Sequence, residues 1–248
     1  RRLIQEGADI LDIGGESTRP GAQPLSVEEE LARILPVVRH AVQLGVPVSV
    51  DTYKPQVMQA VLDLGADIIN DVWALRWRSP QAPFSGASVV ARHARCGVCL
   101  MHMHRDPSSM QLVPMEGDVV PQVRSFLRAV AHDLKAQGVG TERICIDPGI
   151  GFGKTVAQNF SLLARQAQLL ELGYPLLAGW SRKSSLAAVT QLSLATLATL
   201  DPLDRLVPSI AAALLAVQNG ARVVRVHDVK ETLQALRVWE AMQSGSAP

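Results

Sequence analysis

The sequence predicts an α/β fold, a parallel (β/α)8 TIM barrel, and three observations carry that prediction. Short runs rich in Ile, Val and Leu recur along the chain, each ends in polar residues, and each is followed by a stretch of helical character. Strands buried on both faces and linked by helices assemble into a parallel sheet, either open or closed. Seven such units over this length fit a barrel, which typically takes ~250 residues. An open seven-stranded sheet is the alternative. The expected organisation is a single barrel domain over residues 1–248. Because the chain opens with "RRLIQEG", which reads as the end of a helix, a first strand is expected upstream of Arg1.

Each element has its own local signal. The run "ADILDIGG" (8–15) follows "EGAD", where a glycine can take the left-handed turn that ends a helix. Ser26 and Glu29 then have the spacing of a capping box. After "VPVSVDT" (46–52), Pro55 suits the first turn of a helix. The stop signal recurs as "LGAD" before "ADIINDV" (66–72), and the runs "GVCLMHM" (97–103), "RICIDPG" (143–149) and "YPLLAGWSR" (174–182) follow. A third stop, "NGAR", precedes "RVVRVHD" (222–228), beyond which Asp228 and Glu231 are again spaced like a capping box.

Composition narrows the function classes. With 48% apolar and 19% charged residues the chain can bury a large core. A net charge of +1 and 4% aromatic content give neither the basic field nor the stacking platforms that polynucleotide binding requires. The apolar stretch "LVPSIAAALLAVQNGA" is interrupted by Pro, Ser, Gln, Asn and Gly, so it reads as buried helix rather than membrane span. No signal-peptide core opens the chain, and a cytoplasmic location is expected. Cys96 and Cys99 form a C-x-x-C near His93, His102 and His104. Strand alternation sends Cys99 and His102 to opposite faces and leaves Cys96 before the strand, so these cysteines read as structural.

The stretch "IDPGIGFGKT" (146–155) resembles a phosphate-gripping loop, but counting back from Gly153 puts Pro148 where the first glycine of a Walker A loop belongs. Proline has no amide hydrogen to offer a phosphate. A different concentration of chemistry stands out. Asp51, Asn70, Asp71, His102, Asp147, Lys183, Arg225 and His227 all fall at or just past the end of a candidate strand, the end where a barrel builds its active site. Asp12, Asp71 and Asp228 individually read as capping or solvated residues. Alternation puts Arg225 and His227 on one face of the last strand. With Thr18 and Arg19 of "GESTRPGA" they suit an anion such as phosphate, diphosphate or carboxylate. Asp147, Asp51 and Asn70 offer acceptors and an amide that could read a planar heterocycle. No G-x-S-x-G elbow occurs, and Lys183 fits either a Schiff-base or an ion-binding role.

Seven motifs, "DIGGESTRPGA", "SVDTYKP", "ADIINDV", "CLMHM", "IDPGIGFGK", "SRKS" and "RVHDVKET", together resemble the dihydropteroate synthase family across nearly the whole chain. The resemblance implies a pterin-binding barrel that joins 6-hydroxymethyl-7,8-dihydropterin diphosphate to 4-aminobenzoate, releasing diphosphate, and that sulfonamides inhibit. It assigns the pterin to Asp51, Asn70, Met101, Asp147 and Lys183, the diphosphate to Arg225 and His227, and aminobenzoate to Phe152, Ser184 and the loop with Thr18 and Arg19. It implies Mg²⁺, whose asparagine ligand is expected upstream of Arg1, and a homodimer. The segment "ALRWRSPQAPFSGAS" (74–88) departs from the family pattern. A methyltetrahydrofolate-binding barrel and a non-catalytic pterin-binding relative are the competing readings; the first leaves the cations of "SRKS" and "RVHD" without a purpose.

Overall fold

The computed structural model describes residues 1–17, 23–78, 82–107, 109–190 and 205–245. Seven strands lie at the seven predicted places: β1 (Leu11–Gly14), β2 (Val48–Asp51), β3 (Ile68–Asp71), β4 (Gly97–Met101), β5 (Ile144–Asp147), β6 (Leu177–Ala178) and β7 (Val223–Val224). The first five pair in parallel in the order β1-β2-β3-β4-β5, and β6 pairs in parallel with β7. A bridge between Ile146 and Leu176 joins the two groups, so the strands follow one another around a single wall in chain order. β6 and β7 are shorter than the periodicity suggests: the ladder stops before Trp180, and Arg225 and His227 lie past the end of β7 rather than on one face of it.

Helices cover this wall: α1 (Arg2–Gln5), α2 (Val27–Ala41), α3 (Pro55–Asp63), α4 (Gly86–Arg92), α5 (Val119–Ala136), α6 (Val156–Ala164), α7 (Ala167–Leu170), α8 (Ser184–Val189), α9 (Leu206–Gln218) and α10 (Val229–Ser244). Their local signals are largely those read above. Ser26 and Glu29 close a full capping box on α2, and Pro55 opens α3; such a box contributes roughly 1 kcal/mol. Gly7, Gly65 and Gly220 take the positive φ expected of the stop signals. The Asp228–Glu231 box is a correction, because Asp228 makes no side-chain cap: its carboxylate accepts from Arg182 instead.

Apolar burial fixes which face of each helix points inward. Ile34 and Val38 of α2, Val57, Met58 and Val61 of α3, and Val89 and Val90 of α4 pack against Val48, Val50, Ile69 and Val98 of the sheet. Each fully buried side chain of this kind contributes about 1.5–3 kcal/mol. A second cluster joins α5, α6, α8 and α9 to Ile146, Leu176 and Trp180. A third, small cluster of Val72, Met101, Met103 and Met110 sits at the carboxyl ends of the strands with Tyr53, Trp73 and Phe152 against it. That cluster floors the candidate site.

Candidate active site

Parallel strands present their carboxyl ends on one side, and the sequence places acidic groups there: Asp51, Asp71 and Asp147 are the last residues of β2, β3 and β5, and Met101 is the last of β4. Register sets the inward row. Asp12 pairs with Ser49, and Asp51 with Asn70. Side chains at paired positions share a face, and their contacts agree. Ser49 Oγ donates to Asp12 Oδ1 at 2.7 Å and Asn70 Nδ2 donates to Asp12 Oδ2 at 3.2 Å. Arg225 crosses from beyond β7, donating through Nε to Asp12 and through Nη2 to Asp51 at 3.4 Å.

Asp12 is therefore a correction. Read alone it looked like a capping or solvated residue; in the structure it orients Asn70 and holds Arg225. Period two carried the missing signal, since Asp12 stands two residues before Gly14, whose partner is Asp51. Asp71 does behave as a local brace, accepting from the N–H groups of Trp73 at 2.8 Å and Leu75 at 2.7 Å. Asp228 is neither cap nor solvated loop, for it binds Arg182 through two nitrogens.

Burial and crowding of carboxylates push Asp51 up to about 7, with Asp12 adding to the rise and Arg225 opposing it. Asp147 is also raised by burial, opposed first by the N–H of Gly149, which donates to Oδ1 at 2.7 Å, and then by Lys183. Burial lowers Lys183 to about 8 despite the pull of Asp147. Its ammonium lies over the Phe152 ring, 4.5 Å from the centroid, a cation–π contact. Next to it, Ser184 opens α8 and is exposed. The buried hydroxyl is that of Ser185, which accepts from Asn159 Nδ2 at 2.9 Å.

His227 is seated by a residue the sequence did not single out for it. Ser181 Oγ lies 2.8 Å from His227 Nδ1 and accepts from the His227 backbone N–H at 3.2 Å. The imidazole and the guanidinium of Arg225 are thus held from different sides, one by a hydroxyl and the other by two carboxylates. Thr18 and Arg19 lie outside the described residues.

The glycine-rich stretch is a tight loop against the β4 end. Gly149 and Gly153 have φ of 68° and 72°. A Cβ on Gly149 would meet His102 O at 1.9 Å, and one on Gly153 would meet His104 Cβ at 2.6 Å. Lys154 turns inward beneath this loop: Nζ lies 2.9 Å from Gly149 O, 3.1 Å from Phe152 O and 2.9 Å from His102 Nδ1. Burial pushes its amine down to about 7 and holds the His102 imidazole at about 2. His102 O stands a further 3.4 Å from Nζ; with His102 neutral and Nδ1 as acceptor, four acceptors surround Nζ, and the ammonium, with three N–H donors, can meet more of them than a neutral amine can.

A second buried ionic group lies behind β1. Lys54 Nζ bridges Glu16 and Glu30, meeting Glu30 Oε2 at 2.6 Å. Glu16 also accepts from Tyr53 OH at 2.8 Å and from the Leu25 N–H at 2.9 Å. One carboxylate thereby ties both flanks of the stretch that contains Thr18 and Arg19. The segment 74–88 joins β3 to α4; Trp77 stacks edge-on against Tyr53 at 5.1 Å and Arg76 lies 4.7 Å from the Phe126 ring centroid. At the strand ends, then, Asp12, Asp51, Asn70 and Arg225 interlock in one hydrogen-bonded cluster, and the Lys183 ammonium lies over the Phe152 ring.

The chain is similar to known proteins over nearly its whole length. The sequence pattern of the family described as pterin binding enzyme matches residues 1–227. The dihydropteroate synthase of Neisseria meningitidis serogroup C is 46% identical over 243 residues, covering 97% of this chain and 81% of its own. The structure of Burkholderia cenocepacia dihydropteroate synthase complexed with 7,8-dihydropteroate matches with a TM-score of 0.85 at 47% identity, over 98% of this chain and 85% of that one. Xanthomonas albilineans dihydropteroate synthase with 4-aminobenzoic acid gives 0.87 at 47% identity, over 98% and 82% of the two chains.

Proposed function

This chain belongs to the pterin-binding enzymes and, within them, to the dihydropteroate synthases, and on that premise we propose that its pocket joins 6-hydroxymethyl-7,8-dihydropterin diphosphate to 4-aminobenzoate. The reaction forms a C–N bond between the exocyclic methylene of the pterin and the arylamine, and releases diphosphate. The observation that carries this reading is the single strand-end cluster in which Asp12, Asp51, Asn70 and Arg225 interlock, with Asp147 and Lys183 beside them.

Asp147, Asn70 and Asp51 read the polar edge of the pterin, whose amino and ring N–H groups are donors, over the apolar floor that includes Met101. Lys183 donates to the ring from the Phe152 side. The pterin is electron-rich and can support positive charge at its methylene as diphosphate departs, so catalysis is chiefly neutralisation of the leaving group and orientation of the amine. Arg225 and His227 supply the neutralising groups. Phe152 flanks aminobenzoate, with Ser184, Thr18 and Arg19 assigned to the same substrate. Substitution is dissociative, with no covalent enzyme intermediate.

Mg²⁺ ordinarily takes one or two protein carboxylates and completes its shell with phosphate oxygens and water. Among the described residues no group of three or more His, Cys, Asp or Glu side chains could hold a metal ion, and Asp12 and Asp51 are already engaged by Arg225. These residues alone do not compose its site. The proposal includes a single domain over 1–248, a cytoplasmic location and a homodimer. Exposed Val207, Leu215, Val238 and Met242 on α9 and α10 are apolar surface that a second copy could cover. None of the described helices is long and apolar enough to cross a membrane.

The test is to incubate the full-length protein with pterin diphosphate, Mg²⁺ and labelled aminobenzoate. Sulfonamide-sensitive dihydropteroate supports the reading; bound pterin without product favours a non-catalytic relative.

A further inference from the structure

Lys154 is a buried charged member of the glycine-rich stretch that the proposed chemistry leaves without a task. The residue is 4% exposed, and Nζ is engaged by three backbone carbonyls and an imidazole. A lysine placed this way cannot grip a phosphate. We infer that Lys154 is a positioning residue for both substrates, fixing through Gly149 and Phe152 the loop that presents Asp147 to one and the Phe152 ring to the other. The inference rests on the function proposed above.

Four observations converge on it. Gly149 is linked to both groups at once: its carbonyl accepts from Lys154, and its N–H donates to Asp147 Oδ1. Phe152 is linked in the same way, for its carbonyl accepts from Lys154 while its ring carries the Lys183 ammonium. His102, which meets Lys154 through both its imidazole and its carbonyl, also donates its backbone N–H to the Asp147 carbonyl at 2.9 Å. Finally, the flush fit of Gly149 against His102 O leaves no space for the loop to settle toward β4 if the cation is removed.

Removing the ammonium strands four acceptors, three of them in buried contacts, and each buried one is expensive to leave unpaired. The loop then relaxes outward, and misplacement of a positioning group by about 1 Å can lower catalysis on the order of 100-fold. The carbonyls face inward, so the loss falls on the position of Asp147 and Phe152 and not on the diphosphate site around Arg225.

The experiment compares wild type, Lys154→Met, Asp147→Asn and the double variant, with Val38→Ala as a core-destabilised control whose side chain is on α2, outside the site. Pterin binding is read by titration calorimetry, and steady-state kinetics give a KM for each substrate. Lys154→Met is expected to weaken pterin binding and to raise the aminobenzoate KM, each by about tenfold or more, while Val38→Ala leaves both within twofold. In the Asp147→Asn background, Lys154→Met should weaken pterin binding far less than it does alone, because the two residues act through one contact. Additive effects, or unchanged values for both substrates in Lys154→Met, overturn the inference. Should Lys154→Met fail to fold, Lys154→Arg keeps the charge but presents a planar fork to acceptors converging on one point, and the same two constants are expected to move in the same direction. A wild type that binds pterin but forms no product would sink the proposed reaction while leaving the titration comparison decisive for Lys154.

Discussion

Arg225 donates through Nε to Asp12, linking the residue after the last strand to the first strand, and Nη2 of the same guanidinium reaches Asp51 Oδ2 at 3.4 Å. The cation assigned to the leaving diphosphate is thus already aimed by two carboxylates, one of which also orients Asn70. Replacing Arg225 with Gln removes the cation and leaves that carboxylate pair without its compensating charge. A charge-assisted hydrogen bond contributes about 1.5–3 kcal/mol, so kcat/KM for the pterin diphosphate should fall on the order of 10- to 150-fold. Steady-state kinetics with aminobenzoate saturating checks this; an unchanged ratio would remove Arg225 from the diphosphate site.

Asp147 and His227 should separate in their effects. Asp147 sits over the pterin edge, so Asp147→Ala is expected to abolish measurable pterin binding. His227, seated by Ser181, contributes to neutralising the leaving group, so His227→Ala should mainly lower kcat. Calorimetry of pterin binding beside turnover rates distinguishes them. Equal and small effects on pterin affinity would contradict both assignments.

Asp51 gives a pH dependence with a definite sign. Burial and Asp12 raise its folded-state value from 3.8 to about 7, so the folded state holds a proton that the unfolded chain releases earlier. Its contribution to stability is complete below pH 3.8 and is lost as pH rises through about 7. Asp51→Asn should reduce the slope of that segment, of which Asp71, raised by burial to about 7 as well, keeps a share. Urea midpoints measured from pH 5 to pH 8 (about two units below and one above the folded-state value) test it, and an unchanged slope in the variant would rule out Asp51 as the source.

Lys54 predicts a stability effect away from the chemistry. Its side chain and that of Glu30 are 4% and 1% exposed, and removing one partner of such a buried pair destabilises by about 3–5 kcal/mol. Lys54→Met should therefore lower the unfolding free energy by that amount in urea titration, since Glu16 and Glu30 would face each other without the cation. A loss below about 1 kcal/mol, the value of an exposed pair, would show that the network relaxes.

The order of strands and helices was legible because the units share a local grammar: an apolar run, a polar end, a helix and, before β1, β3 and β7, a glycine stop. Gly7, Gly65 and Gly220 behave as that grammar requires. Asp51, Asn70 and Asp147 were legible for a related reason, since strand ends converge in a parallel barrel. What escaped the sequence were pairings across long separations. Nothing local in Asp12 announces Arg225, 213 positions away, and nothing in Asp228 announces that Arg182 will take the carboxylate expected to cap α10. Lys154 was visible as a lysine after glycines, but its inward turn depends on His102 being laid beside it by the neighbouring strand. Local propensity fixes where a side chain stands; partners brought by topology decide what it does.

The most direct measurement follows diphosphate and dihydropteroate together in one reaction of the full-length protein with pterin diphosphate, Mg²⁺ and aminobenzoate. The proposed reaction gives equal amounts of the two products, both suppressed by a sulfonamide and both lost in Asp147→Ala. Diphosphate released at the same rate without aminobenzoate, or pterin bound with neither product formed, would contradict it.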